Sequence, residues 1–251
     1  MLTKDEAICI RALDYSETSQ VVTFFTRAAG KVSTIAKGAK RPKSAFDGPI
    51  EALAHGKIVF SDSTREKLAT LTEFEQQPGF GSLSNNLFVF NCCLFAAELL
   101  NSLTDDYDPH AALFDNFLHF LQSVKDIPAE GGASRDTLAL LILFQLSLLK
   151  EIGLQPILNG CANCKTRYEM GDTTYKFYFS SSANGLICGD CEASFPDRIS
   201  LTKRTVNCLS NLRLIAESEE KTLNEIERAL VHHFTELLHR PPKMAKYVLK
   251  G

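Results

Sequence analysis

Two Cys-x-x-Cys pairs, Cys161/Cys164 and Cys188/Cys191, restrict the folds open to this chain more than any other feature. Each pair brackets a two-residue turn, Ala162-Asn163 and Gly189-Asp190, that can aim both sulfurs at one ion. A tetrahedral ion needs two such turns face to face, so the fold must bring the two pairs together. The segment between them is slightly longer than the usual window of about 15 to 20 residues, and its pattern accounts for the excess. Tyr175, Phe177 and Phe179 alternate with Thr174, Lys176 and Tyr178, a turn follows at Asn184-Gly185, and Leu186-Ile187 lead into Cys188. This predicts a hairpin that carries the second pair back to the first. Four thiolates close the coordination sphere, so the spacing reads as one structural Zn2+ with no position left for water or substrate. Two redox motifs would need a strand before each motif and a helix beginning at it, and Pro156, Leu158 and Gly160 do not make such a strand. Cys9, Cys92, Cys93 and Cys208 fall in apolar runs and read as small buried hydrophobes.

The first 75 or so residues show β periodicity. Ala7–Leu13, Gln20–Thr26, Lys31–Ala36, Lys57–Phe60 and Lys67–Thr72 are short β-rich runs, punctuated by Gly30, Gly38, Pro42, Gly48-Pro49 and Gly56. Five short strands predict a small closed barrel, because an open sheet of that size leaves exposed edges, and an OB-fold is the commonest barrel of that description. Phe24 and Phe25 are adjacent, so one of them faces the barrel core.

After Gln77-Pro78-Gly79 the period changes to 3.6. Leu83, Leu87, Phe88, Phe90, Leu94, Phe95, Leu99 and Leu103 mark one helix. Asp108-Pro109 reads as an N-cap with proline at the first helical position, opening a second. A third is capped by Ser134 and runs to about Ile152. Helices resume at Leu201–Glu217, and Thr222-Leu223-Asn224-Glu225 has the capping-box pattern for a last one through Leu238. The expected organisation is multidomain α+β: an OB-fold barrel over 1–78, an α-helical bundle over 79–155 and 197–251, and a four-cysteine zinc insert over 156–196.

Composition bounds the environment. A chain of 251 residues with 45% hydrophobic content can bury a substantial core. Its charged N-terminus lacks a secretory pattern, and the apolar stretch Leu138–Leu149 is interrupted by Gln145 and Ser147 and too short to span a bilayer. Unpaired cysteines beside a zinc motif point to a reducing cytoplasm. Arg27, Lys31, Lys37, Lys40, Arg41 and Lys43 lie between positions 27 and 46 with no acid among them, which leaves the remainder more acidic than the formal total of −3. Separation of this kind puts a positive face on an acidic body, and local potential governs contact with a polyanion. His232-His233 and His239 do not form a ligand set, since adjacent helical residues point apart. Asp105-Asp106 and Glu217–Glu220 read as solvated helix ends, and no catalytic carboxylate pair is assigned.

Four stretches carry a family resemblance: Ala-Ile-Cys-Ile-Arg-Ala-Leu-Asp-Tyr-Ser-Glu-Thr-Ser (7–19), Phe-Phe-Thr-Arg-Ala-Ala-Gly-Lys-Val-Ser (24–33), Ala-Lys-Gly-Ala-Lys-Arg-Pro-Lys-Ser (36–44) and Leu-Ala-Thr-Leu-Thr-Glu-Phe-Glu (68–75). Together they resemble the bacterial recombination mediators of the RecO family. Asn184-Gly185-Leu186-Ile187-Cys188 and the four cysteines resemble its zinc-bearing members. The resemblance implies a RecF-pathway DNA repair factor without catalytic activity. Such a factor binds single- and double-stranded DNA, anneals complementary strands, contacts RecR and the C-terminal tail of single-strand-binding protein, and helps RecA load. It also implies nucleoid-associated work in the bacterial cytoplasm. The candidate DNA contacts are Arg11, Arg27, Lys31, Lys37, Lys40, Arg41 and Lys43, with Tyr15 as a stacking candidate in a polar turn. Two other readings stay open: a zinc-stabilised interaction adaptor that does not touch DNA, and a thiol-dependent enzyme using a Cys-x-x-Cys pair.

Overall fold

A computed structural model describes residues 2–41, 44, 46, 48–61, 68–128, 132–168 and 176–249. Pro42, Lys43, Thr174 and Tyr175 lie outside the described residues. The chain divides into two compact units, Met1–Asp126 and Ile127–Gly251.

In the first unit, β1 (Leu2–Asp14), β2 (Gln20–Thr26), β3 (Gly30–Ala36), β4 (His55–Ser61) and β5 (Ala69–Gln76) close into a barrel of order β1-β2-β3-β5-β4. All neighbours are antiparallel except β3 and β5. This is the predicted five-stranded OB barrel, with β1 longer at its start and β5 set slightly later than the periodicity suggests. A bulge between Cys9 and Arg11 resets the alternation of β1. Ala7, Cys9, Val22, Phe24, Val32, Ile58, Phe60, Leu71 and Phe74 fill the interior, where Phe24 meets Phe74 edge-on at 5.5 Å. The adjacent Phe25 points outward and is also fully buried, its ring 6.3 Å from Phe114.

Two helices complete this unit: α1 (Leu87–Leu103) and α2 (Ala111–Lys125). Asn86, not an earlier residue, starts α1, its side chain accepting from the N–H groups of Phe88 and Val89, so Leu83 belongs to a preceding 3-10 turn, Gly81–Asn85. The predicted Asp108 cap is not formed. Residue 110 precedes the first turn of α2 without a side-chain cap, and Asp108 instead bonds the His110 ring at 3.0 Å. The segment carrying Asp108 passes over Gly30, where a Cβ would lie 2.2 Å from the Asp108 carbonyl oxygen. Only glycine fits that approach, and Gly30 also has φ +73°.

The second unit contains α3 (Ala133–Glu151), a small sheet of β6 (Phe177–Ser180), β7 (Gly185–Cys188) and β8 (Ile199–Leu201), then α4 (Lys203–Ser210), α5 (Glu220–Leu238) and α6 (Ala245–Val248). The predicted hairpin is β6–β7, and β8 adds a third strand on the far side of β6. Leu201 is therefore sheet, not helix. Ser134 lies inside α3, which starts after Gly132 in a left-handed conformation. The capping box at Thr222 does not form either, because α5 begins earlier, at Glu220. Glu225 caps a different helix: its carboxylate accepts from the N–H and hydroxyl of Thr202 at 2.8 and 2.6 Å, where Thr202 is the cap of α4.

Between α3 and α5, Gln145 donates to the fully buried Glu227 at 2.9 Å. Burial pushes the Glu227 carboxyl up to about 7. The folded chain thus holds a proton that the unfolded chain releases near 4.5. The associated stability is fully present below about pH 4.5 and is lost as pH rises through about 7, a change of at most about 3 kcal/mol. Glu227→Gln, which cannot ionise, should gain on the wild type in urea unfolding free energy between about pH 5 and 8; a pH-independent difference would show that Glu227 does not titrate in this window.

Candidate metal centre and nucleic-acid face

The first cysteine pair sits in a tight knuckle. Cys161 N–H donates to the Thr166 carbonyl at 2.9 Å and Lys165 N–H donates to the Cys161 carbonyl at 3.0 Å. Lys165 takes a left-handed φ of +64°, and its ammonium caps the Ala162 carbonyl. At Gly160 a Cβ would come within 2.9 Å of the Thr166 carbonyl oxygen, so the approach to the knuckle needs a residue without one. The second pair begins at the last residue of β7, Cys188, and continues into the 3-10 turn Gly189–Ser194 that carries Cys191.

Backbone bonds hold the knuckle against β7. Ile157 N–H donates to Asn184 O at 2.9 Å, Leu186 N–H returns to Ile157 O at 2.9 Å, and Ala162 N–H reaches Leu186 O at 2.7 Å. A Cβ on Gly185 would meet Ile157 O at 2.4 Å, which explains glycine at the start of β7. The consequence is that the four sulfurs of Cys161, Cys164, Cys188 and Cys191 lie within 4.8 Å of one another, with Cys164 and Cys188 3.7 Å apart. A tetrahedral ion with metal–sulfur bonds of about 2.3 Å has sulfur–sulfur edges of about 3.8 Å, so the donor set fits one ion.

The surroundings support thiolates. Cys188 N–H points at Cys161 Sγ at 3.4 Å, Asn163 Nδ2 donates to Cys191 Sγ at 3.3 Å, and the Thr166 hydroxyl lies 3.2 Å from Cys164 Sγ. The Thr166 contacts push the Cys164 thiol down to about 6, whereas burial pushes Cys188 up to about 12. A bound cation would supply the charge that offsets burial of the other sulfurs. Ala162, Ile187, Tyr168, Tyr178 and Phe195 pack around them, and Tyr168 meets Phe177 edge-on at 5.0 Å. Neither Cys-x-x-Cys begins an α-helix, as a thioredoxin-like motif would. The histidines are engaged elsewhere: His232 Nε2 bonds Asp197 O at 3.0 Å, His233 Nδ1 bonds Ser181 Oγ at 2.8 Å, and His239 ends α5.

The candidate DNA contacts separate into two groups. Arg27 and Lys31 flank the β2–β3 turn. Arg27 forms a two-bond pair with Asp115 of α2, both bonds at 2.9 Å, and this pairing holds Asp115 below the usual carboxylate range. Lys31 donates to the carbonyls of Asn101 and Thr104 at 3.0 and 2.5 Å and approaches Asp106 at 3.3 Å. Its ammonium therefore caps the C-terminal end of α1, where the carbonyl dipoles favour a cation.

Lys37, Lys40 and Arg41 lie at the opposite end of the barrel. Arg41 N–H closes a turn on Gly38 O at 3.0 Å, while Lys40 N–H donates to Thr18 O at 3.1 Å and Gly38 N–H to Ser19 Oγ at 3.3 Å. These bonds dock the basic loop on the β1–β2 turn beside Tyr15, which is 66% exposed. Lys40 Nζ pairs with Asp14 at 2.7 Å, and Lys37 and Arg41 are exposed. Arg11 is exposed on the outer face of β1, in register with Thr23 and, across β2, with Ser33. The next outward row, Leu13, Val21 and Ile35, is a partly exposed aliphatic patch that charge counting did not reveal. Its signal is the alternation of β1 to β3 once the bulge after Cys9 is counted.

Residues 1–79 match the family model described as Recombination protein O N terminal, and residues 85–246 match Recombination protein O C terminal. Among curated proteins, the chain is 32% identical over 209 residues to a DNA repair protein RecO of Bacillus subtilis, covering 83% of this chain and 76% of the relative. It is 30% identical over 243 residues to that of Bacillus velezensis, covering 94% and 89%, and 31% identical over 206 residues to that of Anaeromyxobacter dehalogenans, covering 82% and 77%.

Because Cys161 is almost completely buried and its sulfur accepts the Cys188 N–H, Cys161→Ser should abolish stoichiometric metal recovery. It should also lower the thermal midpoint by several degrees or more, since metal-binding energy is folding energy in so small an element. Elemental analysis and a thermal melt in parallel check this; an unchanged metal content and melt would dismiss the centre.

Proposed function

The chain belongs to the recombination protein O family, and from that premise we propose that it is a non-enzymatic DNA repair mediator that binds single- and double-stranded DNA and anneals complementary strands. The observation that carries this reading is the basic loop Lys37–Arg41 docked on the β1–β2 turn of a closed OB barrel, next to the exposed Tyr15. In OB-folds the strand 2–3 face and the loop between strands 1 and 2 take oligonucleotides. Lysine and arginine on such a loop neutralise phosphates without reading sequence, and an aromatic ring beside them stacks on any base. Reducing the charge on two strands at once lowers the repulsion that opposes their pairing. Lys37, Lys40, Arg41 and Arg11 are the proposed contacts, with Lys43 continuing the basic loop in sequence. Arg27 and Lys31 contribute mainly field, since their hydrogen bonds are committed to α2 and α1.

The metal is proposed to be one structural Zn2+. Four thiolates with soft, closed coordination select it over magnesium or calcium, and the ion holds the knuckle to β7 while offering no reactive position. The remaining partners follow from family membership: RecR, the tail of single-strand-binding protein and, through them, RecA. The proposed setting is the bacterial cytoplasm, with association with the nucleoid. Among the described residues no helix is long and apolar enough to cross a membrane.

Contact with about four phosphates predicts that log affinity for single strands falls against log salt with a slope of about −3. Replacing Lys37, Lys40 and Arg41 together by alanine should weaken binding at least about tenfold at low salt, flatten that slope by about 2 and slow annealing of complementary strands. Equal affinity and an unchanged slope in the triple variant would remove the loop from the DNA interface.

A further inference from the structure

The four sulfurs are not equivalent. Cys161, Cys188 and Cys191 are buried at 1%, 5% and 8% exposure, whereas Cys164 is exposed. Cys161 Sγ is covered by the Cys188 N–H and Cys191 Sγ by the Asn163 amide. Cys164 Sγ meets the Thr166 hydroxyl on one side at 3.2 Å and Cys188 Sγ at 3.7 Å on another. A dissolved oxidant therefore reaches one sulfur, and a buried second sulfur stands within reach of the product.

We propose that Cys164 is an oxidative modification site at which hydrogen peroxide converts the metal centre into a Cys164–Cys188 disulfide with loss of the ion. This rests on the zinc reading of the four cysteines. The Cys164 thiolate attacks one peroxide oxygen, breaking the O–O bond, and forms a sulfenic acid while hydroxide leaves. The Cys188 thiolate then attacks the Cys164 sulfur and expels a second hydroxide, forming the S–S bond. Peroxide takes up two electrons, one from each cysteine sulfur, and the two hydroxides become water with two protons from solvent. Two of the four ligands are consumed, so the ion is released, and a thiol reductant with added metal restores the starting state. Thr166 moderates the first step. A metal-bound thiolate has no proton to give, so the hydroxyl donates to Cys164 and withdraws electron density from the attacking sulfur.

The test begins with elemental analysis of the purified full chain. Absence of zinc overturns the zinc reading and this proposal with it; with zinc present, everything that follows bears on the oxidation alone. Treatment with hydrogen peroxide, followed by a chelating dye and by peptide mapping under non-reducing conditions, should show one equivalent of zinc released in step with a cross-link between the peptides carrying Cys164 and Cys188. Dithiothreitol with zinc should reverse both. Thr166→Val, which keeps all four ligands, should release zinc at least about threefold faster at the same peroxide concentration. Retention of zinc, a cross-link within either Cys-x-x-Cys pair, scattered over-oxidation, or a Thr166→Val rate equal to the wild type would overturn the proposal.

Discussion

Closure of the barrel by the parallel pairing of β3 with β5 is the constraint on which the first unit depends. Thr34, Ile35 and Ala36 pair with Ala69, Thr70 and Leu71, and this short parallel contact removes the last free edge of a sheet whose other pairings are antiparallel. Once closed, each strand has one face committed to the interior. Phe24 then fills the core while Phe25 is available to hold α2. Closure also fixes the ends. The register Gln20↔Ala36 puts the exit of β3 beside the β1–β2 turn, so the loop holding Lys40 and Arg41 lands on Thr18 and Ser19 without a long connection.

The second unit contains a smaller version of the same problem, answered with sulfur. Strands of four, four and three residues bury too little apolar surface to hold their own fold, and the cluster beneath them is largely cysteine. A metal ion held by the four sulfurs would replace the missing core. The segments are already aligned by backbone bonds, those of Ile157 and Ala162 to β7, so the protein part of the element supplies direction and a bound ion would supply strength.

Much of this was legible in the chain. Period-two runs revealed the five barrel strands, and the cysteine spacing revealed the four-sulfur cluster and its hairpin, because both signals are local and repeat over several residues. Helix starts were read less well. Asp108, Ser134 and Thr222 each have capping chemistry, yet none of them caps the helix that follows. In two of these cases a partner distant in sequence takes part. The segment at Asp108 packs over Gly30, and Glu225 turns to Thr202 on another helix. The strand β8 was missed for the same reason, since Ile199–Leu201 is too short for its own periodicity and exists through pairing with β6. Functional placement of the cations lay further out of reach, because charge has no period to read.

Lys31 lies at the start of β3 and Lys37 just past its end. They are six positions apart along β3 and its exit, about 20 Å at the usual strand rise, against a screening length of about 8 Å at physiological salt. Two cations that look like members of one run therefore cannot act on the same phosphate, and the fold uses them differently. Lys31 is drawn into the C-terminal carbonyls of α1, where its charge meets a helix dipole and three oxygen partners. Lys37 is left exposed beside Arg41, with Lys40 paired with Asp14 at 2.7 Å. A positive run in sequence thus becomes a structural clamp at one end of a strand and an exposed basic edge at the other, and the turn at Gly38 bends Lys40 and Arg41 back onto that edge.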